Sequence, residues 1–505
     1  MINHLCIFTI LLLSSSPVFE AKNRAKRSKS EQNEKAYIPK QSLTFENKET
    51  VDEYLGIPFA KPPLETLRFK SPQNYTETFT KDKPFNASTP AATCPQDLFN
   101  TSIYALDFWN PPNNISENCL QLNMWVPKDK TDLPVLVNLC GGAYWRLGAS
   151  ADIFNGSVLA AYSGAIVVNL NFRLGALGFA RHNKSGIKGN MGLLDQQMGL
   201  QWIKENIEQF GGDPNKVTLM GEQTGASSAQ AHLYSDGSKG LFNRIALTSG
   251  VLENPWASRS NRYEEKTTER LATLLKCTKE SQDDENKDEQ KEKKNNINVD
   301  LSCLQNKTYD EILNATKKIK EESKLTFGFP FSLIVKDGEF FQKNITNKKP
   351  HVQNVDILMG NTKNEGSFFL WYYFNKTIDC HLNMTAQPMT GNCSVSENAF
   401  DTIVKNVSSL FKKDKSWESK VKSVYNDSKE DKIDSANKFL TDLLFDCGLK
   451  QFADNITENK ANGSYVYNFR HRSNEKNTTW PQSFGTVHAA LIEFLFGRPF
   501  RYPNH

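Results

Sequence analysis

The chain has no apolar run long enough to cross a bilayer. The nearest approach is Cys6 to Leu13 within "MINHLCIFTILLLSSSPVFEA", well short of the roughly 18 apolar residues a membrane helix needs. It also lacks a dominant charge: 61 Lys and Arg against 57 Asp and Glu leave a formal +4 over 505 residues. No basic helix or basic-aromatic repeat accompanies that charge, which argues against nucleic acid as a partner. No internal repeat is visible, and neither a cofactor nor a metal is expected. A hydrophobic share of 38% and a mean hydropathy of -0.55 suggest a polar surface rich in insertions. The length exceeds one small domain but suits a single large α/β domain with a substantial core.

The short apolar stretch has signal-peptide proportions and is followed by small residues, so residues 1–21 read as a leader. Residues 22–35 follow as a basic segment. In it, Arg24-Ala25-Lys26-Arg27 reads equally well as a dibasic processing site or a solvated tail. Export agrees with a second feature. The pattern Asn-x-Ser/Thr occurs seventeen times, more than twice what chance placement gives, with Asn74, Asn86, Asn114, Asn155, Asn344 and Asn455 among the sites. Glycans there would hold these loops at the surface. The expected product is secreted and extracellular.

Short apolar runs at 133–139, 165–172, 217–220, 244–250, 355–360 and 465–469 read as buried strands. Between two of them, 193–213 has amphipathic helical spacing and stops at Gly211-Gly212. Alternating strands and helices predict a mostly parallel sheet covered on both faces. Segment 278–300, nearly all charged or amide, cannot bury a core and is expected to be a disordered loop.

Within this pattern "VTLMGEQTGASSA" (217–229) has the layout of a nucleophile elbow, a strand-to-helix turn of form G-x-S-x-G. Gly221 and Gly225 are present, but Gln223 stands at the centre. The blocks "VDEYLGIPFAKPPLETLRFKSPQ", "WNPPNNISENCLQLNMWVP", "GNMGLLDQQMGLQWIKENIEQFGGDP", "LFNRIALTSGVLENPWA", "DGEFF", "NEGSFF" and "VHAALIEFLFG" follow in order. Together they resemble the type-B carboxylesterases, and most closely the cholinesterases. The resemblance runs from about Leu43 onward and implies an α/β-hydrolase fold over 36–505. It places Gln223 at the nucleophile position, Glu365 as the acid and His488 as the base. Backbone N–H groups of Gly141, Gly142 and Thr224 would form the oxyanion hole, with Cys140 where the family usually has a further glycine. A side chain there is expected to reshape the hole.

A carboxamide nitrogen is delocalised into its carbonyl, so Gln223 cannot replace a serine oxygen that an imidazole deprotonates. Loss of a serine nucleophile costs roughly 10⁶ in kcat in a well-studied protease. Ester hydrolysis is therefore expected to be lost. The resemblance also implies a quaternary ammonium site, built from Trp109, Phe368, Tyr144 and Glu222, with Trp256, Phe327 and Phe329 as acyl-pocket aromatics. Against this, Ala489-Ala490-Leu491 replaces the family's usual Gly, Tyr and Glu, which leaves the pocket wider and less negative. Two other readings stand beside the silent ammonium binder: a protein-protein adhesion or receptor-ligand role, and a residual ester hydrolase.

The resemblance pairs Cys94 with Cys119, around the loop carrying Trp109, and Cys277 with Cys303, around the charged insertion. Cys380 and Cys393 are near enough in sequence to pair within an inserted loop. Cys447 matches a family cysteine whose partner lies beyond "GRPFRYPNH", where the family continues, and Cys140 has no evident partner. Arg68 and Glu117 resemble the family's structural salt bridge.

Overall fold

A computed structural model describes residues 36–502, apart from 102, 280–296, 323–326, 328, 385, 387–388, 426–428, 460 and 473–479. The expected leader, the basic segment up to 35 and most of the charged insertion lie outside the described residues.

Nine strands form one sheet: β1 (Gln41–Thr44), β2 (Thr50–Pro58), β3 (Gln121–Pro127), β4 (Leu133–Leu139), β5 (Ile166–Leu170), β6 (Gly212–Glu222), β7 (Arg244–Thr248), β8 (Asp356–Thr362) and β9 (Gly463–Phe469). Their spatial order is β9-β8-β7-β6-β4-β5-β3-β2-β1. Pairings from β5 through β4 to β9 are parallel, and those among β1, β2, β3 and β5 are antiparallel. Inner strands such as β5, Ile-Val-Val-Asn-Leu, are buried at every position. Burial on both faces is why they read as unbroken apolar runs.

Four helices matter for the site: α1 (Met191–Asn206), α2 (Thr224–Ala231), α3 (Glu365–Phe374) and α4 (Ile433–Thr441). α1 covers the sheet with Leu193, Leu200 and Ile203 buried. At its Gly199 an added Cβ would lie 2.4 Å from Leu170 on β5, so the helix packs close because that position has no side chain. Beyond α1 the chain tightens into a 3₁₀ turn ending at Gly211, whose φ of 86° suits glycine. This layered, mostly parallel arrangement is the α/β-hydrolase fold.

The structure departs from the sequence reading in two places. The 465–469 run is not buried: it lies in β9, the edge strand, with Tyr465 44% and Val466 63% exposed. Its β-branched and aromatic residues satisfy strand propensity without a second covering layer. The charged insertion is also ordered at its base. Thr278–Lys279 pairs antiparallel with Asn298–Val299, beside the Cys277–Cys303 disulfide.

Cys94–Cys119 and Cys380–Cys393 are bonded as well. Cys140 and Cys447 have no disulfide partner among the described residues; Cys140 is buried and Cys447 exposed. The Arg68 guanidinium grips Glu117 with two charge-assisted bonds of 2.7 and 2.6 Å, both groups buried. Among the described residues no helix is long and apolar enough to cross a membrane.

Candidate active site

The C-terminal ends of β6, β7 and β8 converge on one point. β6 runs into Gln223, which takes φ 51° and ψ -114° before α2 begins. Positive φ is uncommon for a residue with a side chain and marks a tightly held turn. Gly221 and Gly225 make the turn possible: an added Cβ would meet Gly225 C at 2.3 Å and Leu139 O at 2.1 Å, respectively. Neighbouring strands fix the apex as well, through Gln223 N–H donating to Thr248 O at 2.9 Å.

The Gln223 head is held. Its Oε1 accepts the Ala143 N–H at 2.9 Å. Thr224 contributes more than its backbone: its Oγ1 accepts the N–H of Gly142 at 3.1 Å and of Tyr144 at 3.3 Å. Two N–H groups of the 141–144 loop therefore serve the Thr224 hydroxyl, and Ala143, which the sequence reading did not name, serves the carboxamide. Gly141 is needed for space, because an added Cβ would fall 1.9 Å from Glu222 O. The Cys140 side chain points away from the cavity wall. Its Sγ accepts from Asn138 Nδ2 at 3.6 Å, it is absent from the cavity wall, and the positive φ values fall later, at Ala143 (58°) and Tyr144 (57°).

Glu365 and His488 are brought together at the start of α3. Glu365 is fully buried and accepts from Ser249 Oγ at 2.5 Å and Thr362 N–H at 2.7 Å through Oε1. Its Oε2 accepts from His488 Nδ1 at 2.5 Å. Ser249, a buried residue at φ 51°, is a second group the sequence reading missed. Its signal was present in "RIALTSG", where the hydroxyl follows directly on β7.

The other imidazole nitrogen meets a carboxylate rather than a nucleophile. His488 Nε2 lies 3.1 Å from Glu222 Oε1. The approach lacks hydrogen-bond alignment, since Glu222 Oε1 is otherwise buried without a partner. Burial alone would lower the His488 pKa, but Glu222 and then Glu365 outweigh it and raise the group above its ordinary value. Burial pushes Glu222 up to about 7, with His488 pulling against that rise. The imidazole thus sits between two acidic side chains, Glu365 at Nδ1 and Glu222 at Nε2.

All seven residues expected to contact ligand line one cavity with Gln223 and His488. Its volume of ≈ 150 Å³ is room for about five waters at ~30 Å³ each. Trp109 is half-buried beside Phe108, their ring centroids 6.0 Å apart. Phe368 stacks on Tyr372 at 5.5 Å and lies 6.2 Å from the His488 ring. Tyr144 is buried, its hydroxyl engaged with Ser227 Oγ at 2.8 Å, so it offers a ring and not a donor. Trp256 donates Nε1–H to Leu444 O at 2.9 Å. Phe327 is buried edge-on to Tyr373 at 5.1 Å, and Phe329 stacks on Trp145 at 5.4 Å. The sequence reading did not name Phe99, Arg146, Tyr372, Tyr373 or Trp480 in this wall. The run "SFFLWYYF" carried a signal for the two tyrosines.

Comparison with known proteins identifies the family. A family model described as the carboxylesterase family matches residues 40–505. Acetylcholinesterase 4 of Caenorhabditis briggsae is 32% identical over 476 residues, covering 89% of this chain and 73% of that protein. A cholinesterase of Mus musculus is 33% identical over 465 residues, covering 89% of this chain and 71% of the relative. The acetylcholinesterase of Bungarus fasciatus is 31% identical over 465 residues, with coverage of 89% and 70%. With its elbow, its Glu365–His488 pair and these relatives in agreement, the chain belongs to the carboxylesterase family.

Proposed function

We propose that this chain is a secreted, catalytically silent cholinesterase-like protein whose cavity binds choline-type quaternary ammonium ligands. The observation that carries the reading is Gln223 at the elbow apex with its Oε1 on the Ala143 N–H. The apex bears no ionisable oxygen, and its carboxamide takes a donor that a developing oxyanion would need. His488 supports the same reading, because its Nε2 faces Glu222 instead of an attacking group. The aromatic faces of Trp109 and Phe368, in the same wall as the Glu222 side chain, suit a cation without hydrogen bonds to offer. Export is supported by three disulfides, which form and persist in oxidising compartments. Four of the six named sequon asparagines, Asn74, Asn86, Asn114 and Asn344, are exposed.

The test is hydrolysis of acetylthiocholine and an aryl acetate by the native protein and by Gln223→Ser, with choline titrated against tryptophan fluorescence. Silence in the native protein with saturable quenching supports the reading; turnover, or no quenching, removes it. A second reading, an adhesion or receptor-ligand role, is favoured by β9, an unpaired sheet edge that exposes Tyr465 and Val466. A residual ester hydrolase rests on the preserved Glu365–His488 contact alone.

A further inference from the structure

The same cavity holds a second kind of group, which the ammonium reading does not use. Arg146 lines it two residues past Tyr144, its side chain only 11% exposed. A guanidinium cannot shed its proton in a protein, so its five N–H donors need acceptors. One nitrogen, Nη2, lies 3.5 Å from Asp97. Among the described residues the buried Nε and Nη1 donors have no hydrogen-bond partner. The guanidinium carbon sits 3.7 Å from the centroid of Phe99, another wall residue. Opposite in sequence but near in space, the Lys320 ammonium lies 4.6 Å from the centroid of Phe329, also in the wall.

The local charges leave this end incompletely compensated. Asp97 is 35% exposed and stands 3.5 Å from Arg146 Nη2. Asp107, the other acid acting on Arg146, accepts from Thr101 N–H and Oγ–H. Lys320 is held below the usual lysine range by burial and then by the Arg146 charge, so the two cations repel. Buried guanidinium donors left without acceptors cost free energy that an anionic oxygen recovers through charge-assisted bonds. The Phe99 and Phe329 faces at this end are already met by the protein's own cations. Among the described residues no Lys or Arg lies over Trp109 or Phe368, and the His488 ring stands 6.2 Å from Phe368.

We infer that the ligand of this cavity is a zwitterion: an ammonium end against Trp109 and Phe368, and a carboxylate or phosphate end received by Arg146. The inference rests on the ligand-binding reading above and names the ligand's class. It makes Arg146 the residue that sets specificity.

Calorimetry and tryptophan fluorescence with choline, phosphorylcholine and butanoate test it. Native protein should bind phosphorylcholine at least tenfold more tightly than choline, with a steeper loss of affinity as salt rises. Arg146→Gln should bring phosphorylcholine affinity to the level that the same variant shows for choline. Arg146→Lys, which keeps the charge, should retain part of the preference if the glutamine variant folds poorly. Choline binding as well as phosphorylcholine, in the native protein, would overturn the inference and leave the ammonium reading standing. Binding of butanoate and phosphorylcholine but not choline would support the anion end and remove the ammonium end. No binding of any of the three would remove both readings.

Discussion

Restoring a serine at the elbow should restore only part of a catalytic site, because Thr224 holds a second lock. In Gln223→Ser the carboxamide disappears and the Ala143 N–H is released. The Gly142 N–H remains committed to Thr224 Oγ1, 3.1 Å away, and the Tyr144 N–H to the same oxygen at 3.3 Å. One oxyanion donor is worth about 10²–10³ in kcat, or about 2.7–4 kcal/mol of barrier. Removing the hydroxyl as well, in Gln223→Ser/Thr224→Ala, should therefore raise kcat on an aryl acetate about a hundredfold above the single variant. KM should change little, since the gain is made in the transition state. Stopped-flow release of the chromogenic alcohol, with circular dichroism as a folding control, measures both steps. Equal rates for the two folded variants would refute the reasoning, as would the absence of turnover in both.

Glu222 and His488 each bind protons more tightly folded than unfolded. The His488 contribution is present below about pH 6.5 and is lost as pH rises through its elevated folded pKa; the Glu222 contribution falls between its ordinary 4.5 and about 7. The Glu222 shift alone corresponds to about 3 kcal/mol lost over that window, so native Tm should fall from pH 5 to pH 8 more steeply than that of Glu222→Gln. Parallel profiles would contradict the assignment. Gly141→Ala drives a Cβ to 1.9 Å from Glu222 O and 2.9 Å from its Oε2, and should lower Tm sharply or prevent soluble expression. Replacing Cys94 and Cys119 by serine opens a loop with a sequence separation of 25; about 3 kcal/mol of stability should go with it by loop entropy. Choline-induced quenching should weaken in parallel, because that loop carries Trp109. A melting curve and the same titration check both.

The parts legible in the sequence were those fixed by local rules. β4 was bounded correctly because its two faces are both covered, so seven residues stand out as one apolar run. The elbow was legible because Gly221 and Gly225 are required by backbone contacts rather than by ligand. Glu365 and His488 lie more than a hundred residues apart, and only the ordered family blocks linked them. What stayed hidden depends on where side chains turn in three dimensions. The sequence reading treated Thr224 as a backbone donor, whereas its hydroxyl competes for the loop N–H groups. It could not foresee that Glu222 faces His488 Nε2. Arg146 escaped notice because one arginine after a glycine loop carries no pattern, and its burial on Phe99 is a long-range contact. β9 lies at the sheet edge although its sequence is a short apolar run, because such a run does not say whether a strand lies at the centre or the edge of a sheet.

Incubation of the native protein with acetylthiocholine and, separately, with an activated phosphonate, followed by intact-mass measurement, decides whether Gln223 has silenced the elbow. No turnover above the buffer rate and no mass increase are expected, because residue 223 bears a carboxamide and no hydroxyl that His488 could deprotonate. Steady hydrolysis, or a stoichiometric adduct on any residue of α2 or its preceding turn, would contradict that expectation.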